Sequence, residues 1–449
     1  MATPPGGADL AVPEATVLEA CGDPDLPAMG VVEQALETDP IADDELLPRA
    51  ASAVWDLDWA GVPEGGEVAV GVGSRGIANL QTLVTGVVAG LRDRGFEPFV
   101  VPAMGSHAGA TAAGQREKLA SLGVSPDTVG CEVRASMDVV QVGETPERGV
   151  PVYTAAEAAA ADAIVPVNRV KPHTDYDGRV ESGLSKMLVI GFGKQRGAKV
   201  AHDWAVDWSF RTMIPALAEQ LLETLSVPGG VAVVEDGRDQ TAHIEGVPAD
   251  DFLSREAELL ETARDWLPRL PFDALDVLVV DRLGKDVSGQ GMDPNVTGRR
   301  HFTINEPEPD SPDVKRVYAR GLTEETAGNA MGMGAADLVH RDLAAAVDPG
   351  ASFINAVTAS TVRGVRLPPV MATDRAGLAA ALGSCGVVAP GEARVLRVTD
   401  TMCLERVHAS VALVEAARDR EDLRVVEEPT PIDFADGEFA RASPCPAEP

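Results

Sequence analysis

Glu67-Val-Ala-Val-Gly-Val-Gly-Ser74-Arg75-Gly76-Ile77 is the stretch from which the fold is read. Glu67–Val72 is a short β-branched run, and a glycine-rich turn leads from it into an amphipathic run over Ile77–Arg94. A strand, a tight turn and a helix in that order form one βα unit of a parallel sheet. The alternation recurs along the chain. Further strands are expected at Pro98–Pro102, Ala163–Val167, Leu188–Gly191, Val231–Glu235, Val277–Asp281, Ser352–Ala356 and Arg394–Val398. Helices are expected at Ala112–Leu122, Trp208–Leu225, Asp250–Trp266, Ala335–Ala346, Arg375–Leu382 and Arg406–Arg418. The expected fold class is α/β, with two domains of largely parallel or mixed sheet, flanking helices and an active site in the interdomain cleft. The break is placed at Pro268-Arg-Leu-Pro271. Residues 1–30 then form a flexible N-terminal segment, 31–270 a catalytic and cofactor-binding domain, 271–425 a second α/β domain, and 426–449 an acidic, Pro-rich tail.

The 449 residues carry 38 Lys+Arg against 70 Asp+Glu, a formal charge of −32. Such a surface repels nucleic acid and anionic membranes, so neither is expected as a partner. It suits high salt, where self-repulsion is screened, and points to a salt-loving source. The five cysteines are scattered without metal-ligand spacing, and no basic, apolar leader opens the sequence, so a reduced cytoplasmic setting is expected. No apolar run is long enough to span a bilayer.

One segment reverses the charge. Asn168-Arg-Val-Lys-Pro-His173-Thr-Asp-Tyr-Asp-Gly178 continues through Glu181-Ser-Gly-Leu-Ser-Lys186 and Gly191-Phe-Gly-Lys194 to His202. Residues 165–202 hold seven Lys or Arg against three Asp or Glu, including four of the seven lysines in the chain. A cationic island in an acidic protein is a candidate anion site. Three βα loops would bring chemistry to its rim. Ser74 and Arg75 sit in the first turn, where free backbone N–H groups and a guanidinium suit a carboxylate, although an ordinary turn with a surface arginine reads the same way. His107 lies in Gly105-Ser-His-Ala-Gly-Ala-Thr111, after the second strand, among residues small enough to leave room for a ligand. His173 follows the third strand. Histidine is the side chain best suited to moving a proton near neutral pH. Lys186 precedes the apolar run Met187-Leu-Val-Ile190, where a lysine is costly unless neutralised, paired or covalently used. In the second half, the glycine-dense loop after Val277–Asp281 carries Lys285 and Gln290.

Taken in order, Ser74-Arg75, Gly105-Ser-His107, Asn168-Arg-Val-Lys-Pro-His173, Lys186 and His202 resemble the nickel-dependent lactate racemase family, over roughly residues 60 to 300. The resemblance implies a covalently tethered nickel-pincer nucleotide, pyridinium-3,5-bisthiocarboxylic acid mononucleotide nickel. It implies that Lys186 forms the thioamide tether, that Ser74 and Gly183 border the cofactor, and that His202 ligates nickel. His107 and His173 become the acid/base pair, while Arg75, Lys285 and Gln290 hold the carboxylate of a small-molecule 2-hydroxy acid. Cofactor-assembly enzymes become partners, and the reading admits a homo-oligomer. The implied activity is that of an isomerase, a racemase or epimerase. Val72 stands where family members often have an acid, and the His173–Lys186 interval is longer than in the lactate enzyme, so the substrate is lactate or a related hydroxy acid. Two other classes stay open on the residues alone: a zinc-dependent hydrolase using His107, His173 and His202, and a non-enzymatic binder of small anions.

Overall fold

The structure, a computed structural model, describes residues 10–74, 76–300, 306–443 and 445. The protein is α/β, and its internal contacts divide it into two compact units. One comprises residues 37–267; the other combines the residues up to Leu36 with those from Pro268 onward. The chain opens in the latter with β1 (Ala11–Val12), a helix over Glu14–Cys21 and β2 (Met29–Gln34). The expectation of a loose segment therefore fails for residues 10–30. Val31 and Val32 are buried, and β2 pairs with strands from the far end of the sequence.

In the 37–267 unit the strands are β3 (Glu67–Val72), β4 (Glu97–Pro102), the hairpin β5 (Val139–Glu144) and β6 (Pro151–Ala155), β7 (Ala163–Arg169), β8 (Gly229–Glu235) and β9 (Thr241–Pro248). The main sheet runs β4-β3-β7-β8-β9, parallel except for β9. Its strands are apolar on both faces because helices cover both. Val68, Val70 and Val72 face Leu83, Val84, Val87 and Leu91 of the helix Leu80–Asp93. The intervening Ala69 faces the opposite layer, built by Met213, Leu217 and Leu221 of Phe210–Thr224 and by Leu259 and Leu260 of Phe252–Trp266. The period of two along the strand thus feeds two cores, and each fully buried Val or Leu contributes about 1.5–3 kcal/mol of transfer free energy.

The run expected as a strand at Leu188–Gly191 is instead a π-helical turn, Met187–Gly191, following a short helix, Leu184–Lys186. Short apolar runs have no periodicity that separates a buried strand from a buried turn. Phe192, just beyond, packs onto β3 at Gly71, where any Cβ would overlap its ring. The next helix, Lys194–Trp208, was not anticipated.

The other unit holds β10 (Ala274–Val280), β11 (Asp313–Ala319), β12 (Leu338–His340), β13 (Val370–Met371), β14 (Val395–Val398), β15 (Arg406–Ser410) and β16 (Leu423–Thr430) in one sheet of order β1-β13-β12-β11-β10-β14-β15-β2-β16. Three expectations are corrected here. Ser352–Ala356 lies inside the helix Pro349–Thr358, whose start is announced by the Asp348 cap and Pro349. The helices expected over Ala335–Ala346 and Arg406–Arg418 each begin as a strand, and only Arg341–Ala346 and Val411–Arg418 are helical. The expected tail is structured in part, with β16, the hairpin β17 (Phe434–Ala435) and β18 (Glu438–Phe439), and a disulfide from Cys403 to Cys445. The scattered spacing of the five cysteines did not announce that pairing. Among the described residues, no helix is long and apolar enough to cross a membrane.

Candidate functional site

In the 37–267 unit the chain lays down β3, adds β4 on one side, then returns to place β7 on the other. Open α/β sheets hold ligands at such a reversal, outside the carboxyl ends of the strands. The loops leaving β3, β4 and β7 carry Ser74, His107 and His173, and these three strands are neighbours with β3 in the middle.

The first two loops meet directly. Ser74 Oγ hydrogen-bonds His107 Nδ1. Arg75 lies outside the described residues. The His107 loop rests on the π-helical turn, with Gly105 N–H donating to the Gly191 carbonyl at 3.1 Å. Beneath it lies Lys194, almost fully buried and in a left-handed backbone conformation at φ 53°. Its ammonium donates to the Pro102 carbonyl at 2.5 Å and to Gln115 Oε1 at 3.1 Å, and Gln115 Nε2 donates to the Gly105 carbonyl at 2.9 Å. Burial pushes the Lys194 pKa down to about 8, with Glu157 opposing weakly. Sequence reading quoted Lys194 but gave it no role. It fastens the His107 loop to the start of the helix that bears His202.

The third loop is held from inside. Glu181, fully buried, accepts the His173 N–H at 2.5 Å, the Gly178 N–H at 2.9 Å and Arg264 Nη2 at 2.5 Å. Burial raises its pKa against the pull of those donors. The Asp175 N–H donates to His173 Nδ1 at 2.9 Å, and the ring stacks on Tyr176 at 4.7 Å. His173 Nε2 meets Lys186 Nζ. These contacts assign the protons. Nδ1 accepts, so the neutral ring carries its hydrogen on Nε2, facing Nζ. An ammonium has only donors to offer, whereas a free amine has the lone pair that matches.

The aromatic contacts continue from Tyr176 to Phe210 at 5.5 Å and from Phe210 to His202, edge-on, at 5.2 Å. His202 feels both Lys186 and Asp175 electrostatically, and burial, aided by Lys186, holds its pKa below the usual histidine value. The neutral imidazole so favoured is the form that ligates metals. Gly183 precedes the Lys186 turn. Its carbonyl accepts from Asn168 Nδ2 at 2.8 Å, and a Cβ there would overlap Glu256 Oε1.

The remaining predicted residues lie in the other unit. Lys285 donates to the Gly289 carbonyl of its own loop at 2.5 Å, and Gln290 is buried in the same loop. His107, His173 and His202 form no shared ligand cluster, which removes the support for a three-histidine zinc site. Among the described residues the trio close enough to share an ion is His340, Asp374 and Glu438. Asp374 has no lone pair to spare. Its oxygens accept from Tyr318 at 3.1 Å, from Arg320 at 2.6 and 2.5 Å, and from the Phe439 N–H at 2.9 Å. A guanidinium already occupies the place of the cation.

No family model and no curated protein sequence matches the chain. Among solved structures, the chain is similar to the lactate racemase apoprotein from Thermoanaerobacterium thermosaccharolyticum, with a TM-score of 0.43 and 11% identity, over 86% of this chain and 90% of that one.

Proposed function

We propose that this chain is a racemase or epimerase of a 2-hydroxy acid that works with a nickel-pincer nucleotide tethered through Lys186. The observation that carries the reading is the contact of Lys186 Nζ with His173 Nε2, beside a His202 whose pKa burial lowers. A free amine is the form that attacks a thiocarboxyl carbon, and the half-buried Lys186 has an imidazole at its Nζ. In this reading Lys186 is the tether and His202 the nickel ligand. Ser74 and Gly183 border the nucleotide, and Arg75 takes the substrate carboxylate.

A C2 hydrogen beside a carboxylate is a very weak acid, so imidazole alone would leave it in place. When bound, the cofactor supplies the hydride acceptor that no side chain provides. The chain's own residues handle the proton of the substrate hydroxyl. His173 is fixed by Glu181, by the Asp175 amide and by the Tyr176 ring, so Nε2 is its working nitrogen. Once Nζ is acylated its lone pair is delocalised, and Nε2 is released toward the substrate. His107, oriented by Ser74, provides the second acid/base group. Two imidazoles serve both hands of the substrate, each acting as base for one enantiomer and acid for the other. Cofactor-assembly enzymes are the partners this requires, and a cytoplasmic site of action is part of the proposal.

The test is intact-mass measurement on protein produced together with the assembly enzymes. An adduct is expected, lost in Lys186→Ala, with one nickel per chain and interconversion of the enantiomers of at least one 2-hydroxy acid. Neither adduct nor nickel in the wild-type protein would refute the reading.

A further inference from the structure

Glu256 plays no part in the chemistry above, yet its side chain reaches the residue beside Lys186. It lies in the helix Phe252–Trp266 and is fully buried. Its Oε2 accepts twice from Ser185, from the backbone N–H at 2.9 Å and from the hydroxyl at 2.6 Å. Its Oε1 is buried without a hydrogen-bond partner. The turn it grips, Leu184–Lys186, opens a helical stretch that continues as Met187–Gly191, and the Ser185 N–H is one of the first-turn donors that such a stretch leaves without an internal partner. On the opposite side Asn168, at the end of β7, holds the Gly183 carbonyl, which also accepts the Met187 N–H at 3.0 Å.

We propose that Glu256 is a positioning residue for Lys186, setting the amine against His173 by holding both Ser185 donors on one buried oxygen. This rests on the reading of Lys186 as the reactive amine. The pattern of contacts is that of a carboxylic acid rather than a carboxylate. One oxygen accepts two hydrogens, and the other, facing Gly183, receives none. Burial pushes the Glu256 pKa up to about 7, with the Ser185 and Leu184 hydrogen bonds opposing. Among the described residues no cation pairs with its carboxyl. On its own helix Arg255 pairs with Glu245 of β9 and with Glu258, and Arg264 pairs with Glu181 and Glu261. On β8, Glu235 pairs with Arg169, and on the turn itself Lys186 faces His173. Asp250 and Asp251, ahead of the helix, add only negative charge. Ionisation therefore leaves a buried charge solvated by the Ser185 and Leu184 donors alone among the described residues. The turn then shifts or admits water, and the amine leaves its place.

The experiment acylates the full-length chain, free of cofactor, with an activated acetate ester and maps the peptides. Labelling of Lys186 is scored against the exposed Lys118. At about pH 6, Glu256→Gln is expected to match wild type, because the amide copies the neutral acid, while Glu256→Ala and Ser185→Ala change the ratio about fivefold, the effect of roughly 1 kcal/mol. At about pH 8.5 the wild-type ratio should depart from that of Glu256→Gln by a similar factor, with the amide variant now showing the undisturbed value. If Glu256→Ala does not fold, Ser185→Ala and Glu256→Gln carry the test. Identical ratios for wild type and Glu256→Gln at both pH values, or a Ser185→Ala variant labelled like wild type, would overturn the proposal. Cofactor loading is measured separately. A wild-type chain that never forms an adduct defeats the proposed function while these ratios still judge Glu256.

Discussion

Two regions of the molecule bury charge in opposite ways. In the unit containing the sheet β10–β16, Arg320 grips Asp374 with two nitrogens and reaches Asp281, and Arg397 closes on Asp281 from the other side. Burial pulls the Asp374 carboxyl up, but the Arg320 guanidinium outweighs it and the pKa ends below the ordinary aspartate value. In the 37–267 unit, Glu256 and Lys194 are as deeply buried and have no oppositely charged partner within ion-pair reach among the described residues; both are driven toward their neutral forms. Paired charges hold a fold in one arrangement. Unpaired ones cost stability, and they flank the two loops where chemistry is proposed, which is where perturbed groups gather.

The contrast is broken most severely from the paired side. Arg320→Met strands Asp374 as a buried carboxylate, and a loss of about 3–5 kcal/mol is expected in denaturant unfolding at neutral pH. A loss below about 1 kcal/mol would mean that water reaches Asp374 and that the network is not what holds this region.

The unpaired side gives effects whose sign depends on pH. Glu256 has a folded pKa raised to about 7 from 4.5. The folded chain holds the proton longer than the unfolded one, so this stability is complete below about 4.5 and is lost as pH rises through about 7. Glu256→Gln lacks that loss. Its stability relative to wild type should climb by roughly 3 kcal/mol across this window and then level off, as read from urea midpoints at a series of pH values.

Lys194 runs the other way along the pH axis. Its pKa is depressed to about 8 from 10.5, so the unfolded chain binds more protons between those values and wild-type stability rises with pH there. Lys194→Met abolishes that rise. It also leaves the Pro102 carbonyl and Gln115 Oε1 without their donor, at a cost of about 1–3 kcal/mol, and hydrogen exchange should quicken over residues 103–111. A flat wild-type profile between about pH 8 and 10.5 would show the lysine already hydrated. The smallest effect is expected for Tyr176→Phe, which removes only the hydroxyl bond to the Glu181 carbonyl and should cost about 1 kcal/mol with the His173 ring still stacked.

What the sequence revealed and what it hid divide along the same physical line. β3, β4 and β7 were legible because each is a short β-branched run closed by a glycine or polar turn, and the loops that follow announce themselves by Ser74, His107 and His173. The pairing of Ser74 with His107 and of His173 with Lys186 then follows from strand order, which alternation alone does not supply. Glu256 was read only as part of a helix. Its partner Ser185 lies 71 positions away, and nothing local separates it from the solvent-facing Glu258. Lys194 reaches Pro102 across 92 positions. Buried polar groups are specified by partners from other elements, and a single sequence gives no measure of those distances. The π-helical turn was misread for a related reason: Met187-Leu-Val-Ile190 is apolar throughout, so its pattern names burial without naming geometry.

The placement of residues 10–36 bears on how the protein is made. β2 lies between β15 and β16, with Val32 opposite both Val407 and Val425. On the ribosome this strand finds no neighbour until Arg406–Ser410 and Leu423–Thr430 have followed it. The intervening 37–267 unit, continuous in sequence, is free to fold meanwhile as an insertion within its host. The arrival of β15 and β16, rather than the appearance of β2, is therefore the event that completes the larger sheet.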